Sequence, residues 1–141
     1  MNNIFCLKNE AIATVFQKVS RQYFAGDLKQ EQLLPFFRDD RLEIGITEYR
    51  EFTQEEPHWH TEQTEYHLLL DGETTYIEIA NGKHHVFNKG DFYVISPGTC
   101  FRQESSPGTS IFFIKVPSVN DKVVCSKCDI DSCTYKHSKS S

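Results

Sequence analysis

The feature that most limits what this chain can become is the rhythm of residues 41–117. Short apolar runs alternate with polar residues and are broken every few positions by turn residues, the pattern of half-buried strands rather than helices. Leu42, Ile44 and Ile46 alternate with polar partners. Thr74 to Ile79 is rich in strand formers and runs into Asn81-Gly82, a hairpin signal because both residues tolerate positive φ. Lys89-Gly90-Asp91 turns into Phe92–Ile95, Ser96-Pro97-Gly98 turns into Cys100–Gln103, and a last strand over Ser110–Val116 stops at Pro117. Short strands at this spacing predict a closed barrel or a sandwich.

The remainder sets the frame. The 141 residues suit one domain, and 11 Phe and 6 Tyr against a single Met favour sheet. Residues 1–40 have mixed patterning: Val15 to Phe24 reads as a strand, and Leu33, Leu34, Phe36 and Phe37 form an apolar knot around Pro35. This zone is expected to pack on the outside of the barrel as lead-in strands or a short helix. From Asn120 the composition shifts to a Cys-, Ser- and Lys-rich tail without Phe. The expected division is therefore a domain over 1–119, with its core barrel over 41–117, and a tail over 120–141.

No apolar run exceeds four residues, whereas a membrane-spanning helix needs about 18. The N-terminus has neither a basic start nor an apolar stretch of secretory type. The expectation is a cytoplasmic protein without membrane contact. A net charge of −5, from 20 acidic and 15 basic residues without a basic cluster, argues against nucleic acid. Five cysteines, an odd number, point to thiols or metal ligands rather than a disulfide framework.

The chemistry concentrates in Glu56-Pro-His58-Trp-His60-Thr-Glu-Gln-Thr-Glu65-Tyr-His67-Leu-Leu-Leu-Asp-Gly72. Residues two apart on a strand share a face, so His58 and His60 project together while Trp59 faces away. A four-residue turn would let the next strand return antiparallel and set Glu65 beside them. Two imidazoles and a carboxylate suit iron, manganese, nickel or zinc. His67 shares the face of Glu65. Four roles are open to it: a substitute ligand, a partner to a ligand, an acid/base group near neutral pH, or an ordinary barrel-lining histidine. His84 and His85 are adjacent and face opposite sides, which argues against a joint role.

This stretch resembles the first cupin motif, His-x-His, four residues, Glu, six residues, Gly. The second motif is Gly, five residues, Pro, one residue, Gly, two residues, His; Gly90, Gly98 and Phe101 fall on its frame, with Ser96 in the place of Pro. The resemblance spans about residues 41–117 and implies an all-β cupin-type double-stranded β-helix, a jelly-roll barrel. It further implies a divalent metal held by His58, His60 and Glu65, with Phe101 standing where the family has its fourth ligand. Phe101 then fills the barrel or walls a substrate, and Gln103 points inward beside it. Homodimers are common in the family. Here the apolar outer row Tyr66, Leu68 and Leu70 also asks for cover.

Within the tail, Cys125-x2-Cys128-x4-Cys133-x3-His137 could wrap one structural zinc; incidental thiols are the plainer reading. The leading functional expectation is a metal-dependent enzyme of dioxygenase, isomerase or lyase type acting on a small polar metabolite. A metal-free sugar or sugar-nucleotide isomerase or epimerase is the first alternative, with a barrel histidine moving a proton next to a carbonyl. A ligand-sensing module without turnover is the second.

Overall fold

A computed structural model describes residues 3–125. One helix, α1 (Asn9–Phe16), precedes eleven strands: β1 (Arg21–Ala25), β2 (Glu43–Tyr49), β3 (Thr53–Gln54), β4 (His58–His60), β5 (Thr64–Asp71), β6 (Glu73–Glu78), β7 (His84–Asn88), β8 (Phe92–Ile95), β9 (Phe101–Ser105), β10 (Thr109–Val116) and β11 (Lys122–Val124). Two antiparallel sheets face each other. One has the order β1-β2-β10-β5-β8, the other β11-β4-β9-β6-β7, with β3 also paired to β9. This is the jelly-roll barrel the turn spacing predicts. None of the described helices is long and apolar enough to cross a membrane.

Both ends of the barrel depart from the sequence reading. The segment read as a strand from Val15 divides. Helix formers over Asn-Glu-Ala-Ile-Ala make α1, which buries Val15 and Phe16, and the strand starts only at Arg21. β1 does not lie outside the barrel but pairs with β2 as part of the first sheet. At the other end, Lys122, Val123 and Val124 pair with His60, Trp59 and His58. Residues 122–124 are therefore barrel strand, and a domain boundary at 119 would cut through paired chain. Composition hid this, because a three-residue edge strand needs backbone partners more than apolar side chains.

The hydrophobic pattern is turned inside out along half the barrel. On β5 the buried residues are Glu65, His67 and Leu69, while Tyr66, Leu68 and Leu70 are exposed. On β2, Gly45, Thr47 and Tyr49 are buried and Ile44 and Ile46 face outward, half-covered. Since a strand's two rows are fixed by its period of two, the polar row inside means an apolar row outside. Across β5 and β8 that outer row is continuous: Leu68 pairs with Phe92 and Tyr66 with Val94, and Phe92 is 63% exposed.

Apolar packing is confined to satellite clusters. Leu69, fully buried, packs with Tyr49, Ile111 and Phe87; Tyr76, Tyr93 and Phe101 form a second group; Ile79, Cys100 and Cys125 form a third beside Trp59. Two glycines are required by contact. A Cβ on Gly45 would meet the Phe113 ring and the Gln22 carbonyl at 2.6 Å. One on Gly72, which has φ +83°, would collide with Thr109 Oγ1, so the step from β5 to β6 needs glycine twice over. At Asn81-Gly82 only the glycine takes positive φ, and the loop between β6 and β7 spans five residues rather than two.

Candidate active site

Between the sheets lies a cavity of about 550 Å³, within the usual range for small-molecule sites. All six barrel residues singled out from the sequence, His58, His60, Glu65, His67, Phe101 and Gln103, line it. They arrive by a different route than a simple hairpin. β4 belongs to one sheet and β5 to the other, so the chain crosses over at Thr61–Gln63. Glu65 therefore comes from the opposite sheet, and its Oε1 still reaches to 4.0 Å from His60 Nε2, beside the pair as the spacing predicts.

The β4 imidazoles are each anchored by one nitrogen. His58 Nδ1 donates to the Glu56 carbonyl at 3.0 Å, and because a carbonyl only accepts, that nitrogen carries the proton. Burial, reinforced by Lys122, lowers the His58 pKa and keeps the ring neutral. His60 Nδ1 donates to Asp121 Oδ1 at 2.8 Å. The Asp121 carboxylate is itself held by the backbone N–H groups of Glu62 and Gln63, at 2.6 and 2.8 Å on Oδ2. Burial pushes its pKa up, but the bonds from His60 and these two amides outweigh that and hold it below the ordinary carboxylate value. Phe101 covers His58, with ring centroids 4.5 Å apart.

The β5 pair is left open. Glu65 is 5% exposed and His67 8%, yet Glu65 Oε2 and both nitrogens of His67 have no hydrogen-bond partner. Around Glu65 Oε1 stand Lys115 Nζ at 3.5 Å, His67 Nε2 at 3.9 Å and His60 Nε2 at 4.0 Å. The last two distances are ion-pair separations, too long for hydrogen bonds. Burial pushes the Glu65 carboxyl up, and the polar contact with His67 and the Lys115 ammonium overcome it, so the group is an ionised carboxylate. His67 stacks on Tyr93 at 4.9 Å and 30°. The Tyr93 hydroxyl donates to that of Tyr76 at 3.1 Å, and burial raises both phenols, which stay protonated.

Gln103 belongs to a buried polar network, its Nε2 donating to Ser105 Oγ at 3.0 Å, to Thr74 Oγ1 at 3.3 Å and to the Tyr49 hydroxyl at 3.4 Å. Towards the mouth, Arg21 Nε donates to Thr47 Oγ1 at 2.8 Å and the Tyr49 hydroxyl to Glu55 Oε1 at 3.1 Å.

Does this set fit a divalent ion? The two anchored imidazoles are prepared for one, since each has its Nδ1 bonded and its Nε2 left over. The carboxylate is not. Lys115 already balances Glu65 and would stand beside any ion bound there, and Phe101 fills the fourth ligand place with a ring. Among the described residues no group of three His, Cys, Asp or Glu side chains could hold a metal ion. As arranged, the residues do not fit a metal centre. Of the tail quartet, Cys128, Cys133 and His137 lie outside the described residues. Cys125 is buried. His84 is exposed and His85 pairs with Glu78 at 2.7 Å, away from the cavity.

Sequence reasoning missed Lys115, Asp121, Arg21 and Tyr76. Lys115 was within reach, because the inward row of β10 runs Thr109, Ile111, Phe113 and then Lys115, directly opposite Glu65. Asp121 carries no sequence signal; only the pairing of β11 with β4 brings it to His60.

Comparison with known proteins agrees with this architecture. The family model described as "Cupin domain" matches residues 46–113. An uncharacterised conserved protein with a double-stranded β-helix domain from Klebsiella pneumoniae superposes with a TM-score of 0.52 at 20% identity, over 63% of this chain and 78% of that one. KdgF from Halomonas sp. gives 0.51 at 15% identity, over 59% and 74%. Pac13, a nucleoside dehydratase from Streptomyces, gives 0.55 at 10% identity, over 69% and 78%. A search of curated proteins finds no match. With the first motif and the frame of the second in order on two facing antiparallel sheets, and the family match falling across them, residues 46–113 are a cupin domain.

Proposed function

We propose that this cupin is an enzyme that moves a proton on a small hydroxy-carbonyl metabolite without a metal, as an isomerase, epimerase or lyase does. The observation that carries the reading is the open β5 pair: a buried carboxylate oxygen and a buried imidazole, both without partners, on the wall of a ligand-sized cavity. Leaving such groups unsatisfied costs about 1–3 kcal/mol each. A bound substrate that bonds to them removes that cost.

The roles follow from charge and reach. His67 can take a proton at one nitrogen, with the Glu65 carboxylate 3.9 Å from its Nε2. Lys115 offers an ammonium near the same point, suited to the negative charge that develops on a carbonyl oxygen as the adjacent carbon loses its proton. Phe101, Tyr76 and Phe113 give the cavity an apolar wall beside these polar groups. The similarity to Pac13, a nucleoside dehydratase, supports small-molecule chemistry in such a barrel and does not identify the substrate.

A panel of aldoses, ketoses and their acids, screened by calorimetry on untreated and chelator-treated protein, tests this reading. Binding that survives chelation and is lost in Glu65→Gln is the expected result. Binding that needs added metal would replace the reading with Lewis-acid chemistry at His58 and His60. The apolar row Leu68, Phe92, Tyr66 and Val94 supports a homodimer through this face; a monomeric mass by light scattering would count against it.

A further inference from the structure

We infer that Asp121 is a positioning residue that fixes the tautomer of His60, so that the neutral ring presents an unprotonated Nε2 to the cavity as a hydrogen-bond acceptor. The substrate subsite between His60 and Glu65 then takes a donor, such as a hydroxyl. This substrate-class step rests on the proposed function above; the tautomer itself does not.

The geometry runs in one direction. Asp121 sits just before β11, whose Lys122 pairs with His60 on β4. One carboxylate oxygen, Oδ2, accepts from the amides of Glu62 and Gln63, with the Thr61 hydroxyl at 3.4 Å. The other, Oδ1, accepts from His60 Nδ1 at 2.8 Å, and the Asp121 side chain is only 7% exposed. An ionised carboxylate has no proton to give, so in the neutral ring the proton sits on Nδ1 and the lone pair on Nε2. Across the cavity, His60 Nε2 stands 4.0 Å from Glu65 Oε1. Two acceptors facing each other over that gap repel unless a donor lies between them. A water meets the requirement with its two O–H groups, and a ligand hydroxyl meets it by donating to one acceptor; a carbonyl does not.

Asp121→Asn separates this role from a merely structural one. The two backbone amides still need an acceptor, so the asparagine keeps its carbonyl oxygen towards Glu62 and Gln63. Its NH2 is then turned to His60 Nδ1, which must become the acceptor, and the proton moves to Nε2. The measurement is 15N NMR of histidine-labelled full-length protein in the neutral-ring pH range, with His60 assigned through His60→Gln. Expected are a protonated Nδ1 and bare Nε2 in the wild type, and the reverse in Asp121→Asn. The wild-type spectrum decides even if the variant fails to fold: a neutral ring with its proton on Nε2 overturns the inference. An Asp121→Asn spectrum unchanged from wild type overturns it as well. If the tautomer reverses as expected while no hydroxylated compound of the panel binds, the positioning role stands and the proposed function fails.

Discussion

Across one cavity, β4 and β5 present the same two kinds of chemistry in opposite conditions. The imidazoles of β4 are finished: each has a nitrogen tied to a fixed acceptor, one a backbone carbonyl and one a carboxylate that is itself bonded to two amides. The carboxylate and imidazole of β5 are unfinished, equally buried and without hydrogen bonds at Oε2 or at either ring nitrogen. Burial alone therefore does not separate the groups of the two strands. What distinguishes them is whether the protein has satisfied them or left that to a ligand.

The comparison breaks most sharply at Lys115. Its ammonium is the cross-strand partner of Glu65, and both are mostly buried. Removing one member of such a pair strands the other, so Lys115→Met should cost about 3–5 kcal/mol in urea unfolding. The double variant Glu65→Gln/Lys115→Met should recover most of that loss. An equal cost in single and double variants would mean that the charge pair does not set the stability of this site.

A matched pair of substitutions tests the contrast itself. His67→Leu should leave stability within about 1 kcal/mol of the wild type, because the unpartnered nitrogens it removes offset the lost contact that helps hold Glu65 ionised. His60→Leu should lower stability by about 1–3 kcal/mol, since it leaves Asp121 Oδ1 without its donor. A near-neutral His67→Leu beside a destabilising His60→Leu sharpens the distinction between the strands; equal destabilisation of both would erase it.

How much of this could be read beforehand depends on how far apart in the chain the partners lie. The turns at Gly90 and Gly98 and the spacing from His58 to Gly72 are local, and they located the strands and six cavity residues. Whatever depends on which strand lies beside which was out of reach. Glu65 faces His60 from the opposite sheet, Lys115 lies 50 positions beyond Glu65, and Asp121 reaches back 61 positions to His60. The inside-out pattern misleads in a further way: β2 and β5 turn polar rows inward because the interior is a polar cavity rather than a packed core.

The smallest expected effect is a pH slope from His58. Burial lowers its folded-state pKa beneath the unfolded value of about 6.5. As pH falls below that value, the unfolded chain takes up a proton that the folded ring refuses, so stability declines with acidification. The melting temperature should fall more gently below pH 6.5 (roughly the free-histidine pKa) in His58→Gln than in the wild type. Identical slopes would place the proton uptake elsewhere.

The central claim, a metal-free proton transfer at the open β5 pair, is met most directly by solvent isotope exchange. A sugar or sugar acid retained by the protein is incubated with it in D2O after chelation, and deuterium at the carbon next to the carbonyl is followed by mass spectrometry. The account predicts exchange that chelation leaves intact and that falls by roughly 100-fold or more in His67→Gln. Exchange that stops on chelation and returns with added metal, or that persists at full rate in His67→Gln, would contradict it.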